Sequence, residues 1–496
     1  MPDTKISALS SSGPLTGQEM LPLVQGGQTV RGSIGVLLAE AARRADASNV
    51  VIVNDGDSKG QELQAAARWA LARQPRNVRY GASINVGSST TGDGTFDVNG
   101  ETKYNLTHPT RLAAAVQTIT DLTGKGFQVD VWMKIGTNDL AAASPVISHD
   151  AILANVKKAW NLYQAAGARF LILHAVDPRT SFSSAQRIIT LNRLYSEFAQ
   201  STPGVFFLDL AAQLVDPTSA TDAPLGGSTG GAFAVMVDGL HQSEYGFYRS
   251  SFGLAPLLQR LYTPLPIDLL HRTDAFSATA TRGNLLGTVG RMVALGGTDS
   301  SVKSGTGTVT GTPPNGWELT STTTLTGDLG ITFTQAACAA LDTHMGSSGS
   351  QCVNMALSGT PTADGSIRLR RTVLTSSGVS VPAGTPLIGE ALVNFSALQG
   401  LHGFTASGNA NAGLNGSTEL FGVGAGGGKA SSQFPALTGL HFFNGLVSHV
   451  PVATKNITTF NADFIFSYRA GVPLSGSIDL IQMAWRAAFP LPAAAA

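Results

Sequence analysis

Asn49-Val50-Val51-Ile52-Val53-Asn54-Asp55-Gly56-Asp57-Ser58 is the stretch on which the fold turns. Four consecutive β-branched residues without polar alternation describe a strand buried on both faces, as in a parallel sheet covered by helices. Polar residues and a glycine end the run. Behind them Leu63, Ala66, Ala67, Ala70 and Leu71 recur at i, i+3, i+4, i+7 and i+8, which is one face of a helix. A buried strand feeding a helix through a short polar turn is half of a βαβ unit, and Ser58 stands where that helix would open.

Outward from this point the alternation repeats. Arg79 to Val86 reads as a weaker strand, and Phe127 to Ile135, Phe170 to Leu173 and Val205 to Leu208 as three more. Helical stripes separate them: Leu112, Ala115, Val116 and Ile119 after Pro109, which suits a first turn; Ile152, Val156, Ala159 and Tyr163, closed by Gly167; and Ile188, Leu191, Tyr195 and Phe198. A last helix runs from about Ser243 to Tyr262 with Pro256 inside it. The pattern predicts an α/β domain over 46–265, a three-layer α/β/α sandwich with a five-stranded parallel sheet. Pro264 and Pro266 then form a stiff link. Over 270–496 charge thins, Gly, Ser and Thr rise, and short runs such as Gly330–Phe333, Ile367–Arg370, Phe464–Phe466 and Ile481–Trp485 predict an all-β sandwich, jelly-roll-like. Residues 1–45 are too rich in Gly and Ser to bury a core and read as a linker or attachment segment, with a short helix near Gly35 to Arg44.

Composition removes several functions. In 496 residues, 32 Lys and Arg balance 32 Asp and Glu, so a nucleic-acid partner, which wants a basic stripe, is not expected. No apolar run approaches the ~20 residues of a membrane span, so no membrane insertion is expected. Met1 to Ser12 lacks an apolar segment, and no signal peptide is expected. Cys338 and Cys352 are too few for a disulfide framework or a zinc cluster. Two thiols or one disulfide remain open, and neither a metal nor an organic cofactor is anticipated.

In open α/β sheets the chemistry gathers beyond the C-terminal strand ends. Ser58, after the first strand, would sit at a helix N-terminus with free N–H groups and a positive field, which suits a nucleophile; taken alone, a plain N-cap serine is the more common reading. Gly136-Thr137-Asn138-Asp139 follows the third strand, and an Asn amide there can donate to an oxyanion or simply form a turn. Asp238-Gly239-Leu240-His241 precedes the last helix. A three-residue offset lets a carboxylate fix an imidazole locally, though by itself the pair reads as an ordinary loop Asp and His.

Taken together, Gly56-Asp57-Ser58, Gly136-Thr137-Asn138-Asp139 and Asp238-Gly239-Leu240-His241 resemble the first, third and fifth sequence blocks of the SGNH (GDSL-type) hydrolases, over about residues 46–262. The resemblance implies a serine esterase with Ser58 as nucleophile, His241 as base and Asp238 as its orienting acid. It also implies an oxyanion hole made by the Ser58 N–H and Asn138. The second block departs from the family. In Asn85-Val86-Gly87-Ser88-Ser89-Thr90-Thr91-Gly92 the expected glycine position holds Thr90, and Gly87 is taken as the third donor, with Ser89 and Thr90 competing. Lys59, where relatives carry a small or apolar residue, reads as a solvated lysine at a helix start, with a preference for an anionic substrate as the alternative.

Lys5 to Leu9 and Leu21 to Gly27 resemble a segment recurring in tail-fibre and tailspike proteins of tailed bacteriophages. That implies attachment to other virion tail proteins, synthesis in the host cytoplasm and trimeric assembly. The C-terminal region resembles sandwich modules of carbohydrate-active phage proteins, with Trp317 and Trp485 the most suggestive rings. The resulting expectation is a phage tail esterase, a deacetylase removing O-acetyl groups from a bacterial surface polysaccharide. A lipase or thioesterase on small acyl esters and a non-catalytic receptor-binding module are the alternatives.

Overall fold

The computed structural model describes residues 20–25, 28–33, 50–141, 147–180, 185–220, 222–226, 233–265, 284–299, 307–321, 325–374, 387–410, 418–419, 433–444 and 459–487. Of the N-terminal segment, β1 (Met20–Gln25) and β2 (Gln28–Ser33) pair antiparallel; Lys5 to Leu9 and the helix expected near Gly35 to Arg44 lie outside the described residues.

From Val50 the chain alternates as expected. β3 (Val50–Gly56) leads into α1 (Ser58–Arg73) and β4 (Arg79–Ser83). A hairpin of β5 (Thr95–Val98) and β6 (Glu101–Tyr104), which the sequence reading did not foresee, precedes α2 (Pro109–Gly124) and β7 (Gln128–Lys134). Then come a short α3 (Thr137–Ala141), α4 (His149–Ala165), β8 (Ala168–His174), α5 (Ala185–Ser201), β9 (Val205–Leu208) and α6 (Glu244–Leu261). The five strands form one parallel sheet in the order β4-β3-β7-β8-β9. Every residue of β3 is buried, as its unbroken apolar run requires. Val51, Val53, Val129 and Val131 meet α2, α4 and α5 on one face, while Val50, Ile52, Trp132 and Ile172 meet α1 and α6 on the other. This is a three-layer α/β/α fold.

After α6 the chain returns to the connection between α1 and β4: the Leu265 N–H donates to the Pro75 carbonyl, and the Asn77 N–H to the Thr263 carbonyl. The described residues from 284 onward form a two-sheet β-sandwich. One sheet comprises β10 (Thr298–Asp299), β12 (Glu318–Ser321), β15 (Gly365–Leu374), β20 (Thr459–Tyr468), β17 (Gly403–Ala410) and β18 (Thr418–Glu419), in that order. The other runs β11 (Thr308–Thr310), β13 (Gly330–Ala337), β14 (Gln351–Gly359), β21 (Leu474–Ala487), β16 (Leu387–Gln399), β19 (Leu437–Asn444). Its core holds Phe333, Phe395, Phe404 and Phe464. Trp317 and Trp485 belong to that core too, the Trp317 indole N–H donating to the Val289 carbonyl at 2.9 Å, so neither ring is a surface platform.

The two units share α1. One flank of this helix, Leu63, Ala67, Ala70 and Leu71, packs under the parallel sheet. The other carries Trp69 into the sandwich core, fully buried against Phe434 and Phe443 with Tyr248 of α6 edge-on at 5.3 Å.

Candidate active site

β3 turns directly into α1, and Gly56 makes the turn. Its φ is +150°, and a Cβ there would stand 2.1 Å from the Lys134 carbonyl oxygen of β7, so only glycine fits. The preceding Asp55 is pinned by three donors: Arg111 Nη2 and the Tyr163 hydroxyl, each at 2.6 Å, and the Gly56 N–H at 2.8 Å. Asp57 caps α1 by accepting from the Lys59 N–H at 2.9 Å, and Ser58 is the first helical residue, half-buried. Its hydroxyl therefore lies in the positive field of the helix start.

His241 comes from the loop before α6. Gly239, at φ +74°, turns this loop; the Thr180 N–H donates to the Gly239 carbonyl and the Val237 N–H to the His241 carbonyl. One oxygen of Asp238 accepts from the Leu240 and His241 N–H groups at 2.9 and 2.6 Å, and the other lies 2.7 Å from His241 Nδ1. Burial works against the Asp238 charge, but those donors outweigh it and hold the carboxyl well below the usual range. His241 Nε2 then lies 3.3 Å from Ser58 Oγ. Groups 183 residues apart in sequence thus stand within proton-transfer reach.

Asn138 lies on α3 beside Ser58's turn. Its amide donates to the Ser89 carbonyl at 3.0 Å and stands 3.5 Å from Asp57, too long for a useful bond, so one N–H remains for an incoming oxygen. The 86–91 loop is fastened around it. The Val86 N–H donates to the Gly56 carbonyl, and buried Asp139 accepts from the Thr91 N–H and hydroxyl. The Ser89 N–H closes a turn onto the Val86 carbonyl, with Ser88 at φ +62°, and the Thr90 N–H donates to Asn105. Of the three candidate donors, Gly87 is the one without a partner among the described residues, and it is exposed.

Lys59 departs from expectation. It is 1% exposed, not solvated, because Asp177 in the loop after β8 receives it: Lys59 Nζ lies 3.8 Å from Asp177 Oδ2, Lys134 Nζ 2.7 Å, and the Gln242 amide donates to the same oxygen at 2.9 Å. Burial opposes the Asp177 charge, but Lys134 first and then Lys59 keep its carboxyl below the ordinary value. Asp57 fares differently. Burial pushes it from 3.8 up to about 7, although the Lys59 N–H and the two lysine charges pull it down. The sequence reading missed Arg111, Tyr163, Lys134, Asp177 and Gln242. A charged residue closing the buried run of β7 was the one visible signal.

A cleft of about 550 Å³ runs between α5 and the end of β9, lined by Arg179, Ile188, Ile189, Asn192, Phe207 and Asp209 among others. Arg179 donates to the Thr137 carbonyl at 3.1 Å, but Ser58, Asn138, Asp238 and His241 do not line the cleft. Among the described residues the set with metal-ligand spacing, Cys338, Cys352 and Asp479, is in the sandwich. Both cysteines are buried free thiols, and the Asp479 oxygens already accept from the Asn354 and Asn394 amides.

No family model matches the chain, and no curated protein does either. Among solved structures it is similar to a GDSL-like lipase from Bacteroides thetaiotaomicron, at 15% identity over 45% of this chain and 97% of that one, with a TM-score of 0.32. It is similar to the C-terminal catalytic domain of Streptococcus pneumoniae peptidoglycan O-acetyltransferase A, at 16% identity over 43% and 94%, TM-score 0.26. A carbohydrate-binding module in complex with β-1,4-galactotriose is also similar, at 10% identity over 35% and 88%, TM-score 0.18.

Proposed function

We propose that the chain is a serine esterase in which Ser58, His241 and Asp238 act as nucleophile, base and orienting acid. The observation that carries this reading is the unbroken line from Asp238 through His241 to Ser58 Oγ. Ser58 Oγ attacks the acyl carbonyl while its proton passes to His241 Nε2. The oxyanion is received by the Ser58 N–H, the Gly87 N–H and the open N–H of Asn138. Collapse breaks the ester bond, and the leaving alcohol takes the proton from His241. Water then repeats the sequence on the acyl-enzyme, releasing the acid and restoring Ser58.

The substrate is an O-acetyl group on a bacterial surface polysaccharide, and the setting a trimeric phage tail. Supporting this finer reading is the sequence resemblance of residues 5–27 to virion segments. The test is acetate release from acetylated capsules and lipopolysaccharides, beside hydrolysis of p-nitrophenyl esters of increasing chain length. Ser58→Ala should abolish both activities. A variant as active as the parent protein would refute the triad, and a preference for acyl chains beyond about butyrate would refute the deacetylase.

A further inference from the structure

Asp177 Oδ2 is a point where three elements meet. Lys134 ends β7, Lys59 follows Ser58 on α1, and Gln242 follows His241 in the loop before α6. Each is coupled to the site through the backbone. Lys59 adjoins the nucleophile, and its N–H is the one Asp57 caps; Lys134 offers its carbonyl to the Asp57 N–H at 3.2 Å; Gln242 adjoins the base. The far end of Gln242 accepts from the Ser250 hydroxyl of α6 at 3.0 Å, so the side chain is held at both ends. All four of Lys59, Lys134, Asp177 and Gln242 are at most 3% exposed.

Two ammonium groups and a carboxylate out of water are a poor route to stability, since well-packed apolar residues commonly serve as well. What such a cluster supplies is direction: one oxygen fixes the spacing of three chain segments. The His241 loop needs that fixing, because the acid that orients the imidazole is itself 52% exposed and offers little packing. We infer that Gln242, held by Asp177, is a positioning residue that seats the His241 loop against the start of α1 and so sets the Ser58–His241 distance. The inference rests on the triad reading and adds a part to it.

Gln242→Leu cuts the tie to the loop and leaves both lysines paired with Asp177. Its kcat should fall about tenfold with KM within twofold of the parent, and Ser58 should react more slowly with a fluorophosphonate by a similar factor. Gln242→Glu supplies the second arm. While protonated, the new carboxyl can donate to Asp177; once ionised it repels it. The kcat of this variant relative to the parent should therefore decline as pH rises. A parental kcat in Gln242→Leu, even with a lowered melting temperature, overturns the inference, as does a flat ratio for Gln242→Glu. With Ser58→Ala inactive, such a result leaves the triad standing; an active Ser58→Ala removes the triad itself.

Discussion

Asp57→Asn isolates a carboxyl at the site whose ionisation opposes folding. Its fully buried side chain titrates at about 7 against an ordinary 3.8, because burial penalises the anion more than the Lys59 N–H and the Lys59 and Lys134 charges repay. For an acid raised in this way the sign is fixed. The protonated form is favoured in the folded protein, so the contribution is whole below about 4, is lost progressively as pH climbs to about 7, and stays lost above. At about 1.4 kcal/mol per pH unit, the rise from 3.8 to about 7 sets a ceiling of about 4 kcal/mol. Asparagine keeps an oxygen to cap α1 but cannot ionise. Urea unfolding of parent and variant at intervals from pH 4 to 8 cancels every other titration in the difference. The variant should gain on the parent by up to about 4 kcal/mol across that interval, with most of the change between pH 4 and 7. A difference independent of pH would refute the reasoning, and so would a gain that grows toward acid.

Three further outcomes are expected. Asn138→Ala should lower kcat by about 10²–10³-fold with KM little changed, measured by ester hydrolysis, because one of the proposed oxyanion donors is gone. Gly87→Pro should do the same through the backbone; proline suits the second position of the Val86–Ser89 turn, where Ser88 already has φ +62°, so the lost N–H is the main change, and parental kcat would assign the donor elsewhere. Trp69→Ala should cost about 3–5 kcal/mol of stability in thermal or denaturant unfolding, since it empties a site shared by two cores.

Much of the α/β unit was legible because its signals are local. The Val50–Val53 run needs no partner to declare a buried strand, and Asp238 reaches His241 within one turn of chain. The Ser58–His241 meeting followed from where strand ends gather in such a sheet. What stayed hidden depends on distant partners. Lys59 looks like any solvated lysine until Asp177, 118 positions on, is placed beneath it. Asp55, likewise, gives no hint of Arg111 and Tyr163. The apolar spacing of α1 revealed the flank toward the sheet, but Trp69 off that stripe means nothing without Phe434 and Phe443. The β5–β6 hairpin, exposed or half-buried throughout, has no core pattern to betray it.

Because the helix that carries Ser58 belongs to two cores at once, the α/β unit is not a detachable cassette. Cutting the chain near residue 265 would strip the cover from the Trp69 indole and leave an aromatic scar with Tyr248 on the helix that presents Ser58. A minimal α/β fragment made that way would need this surface repainted with polar side chains before it could stay in solution.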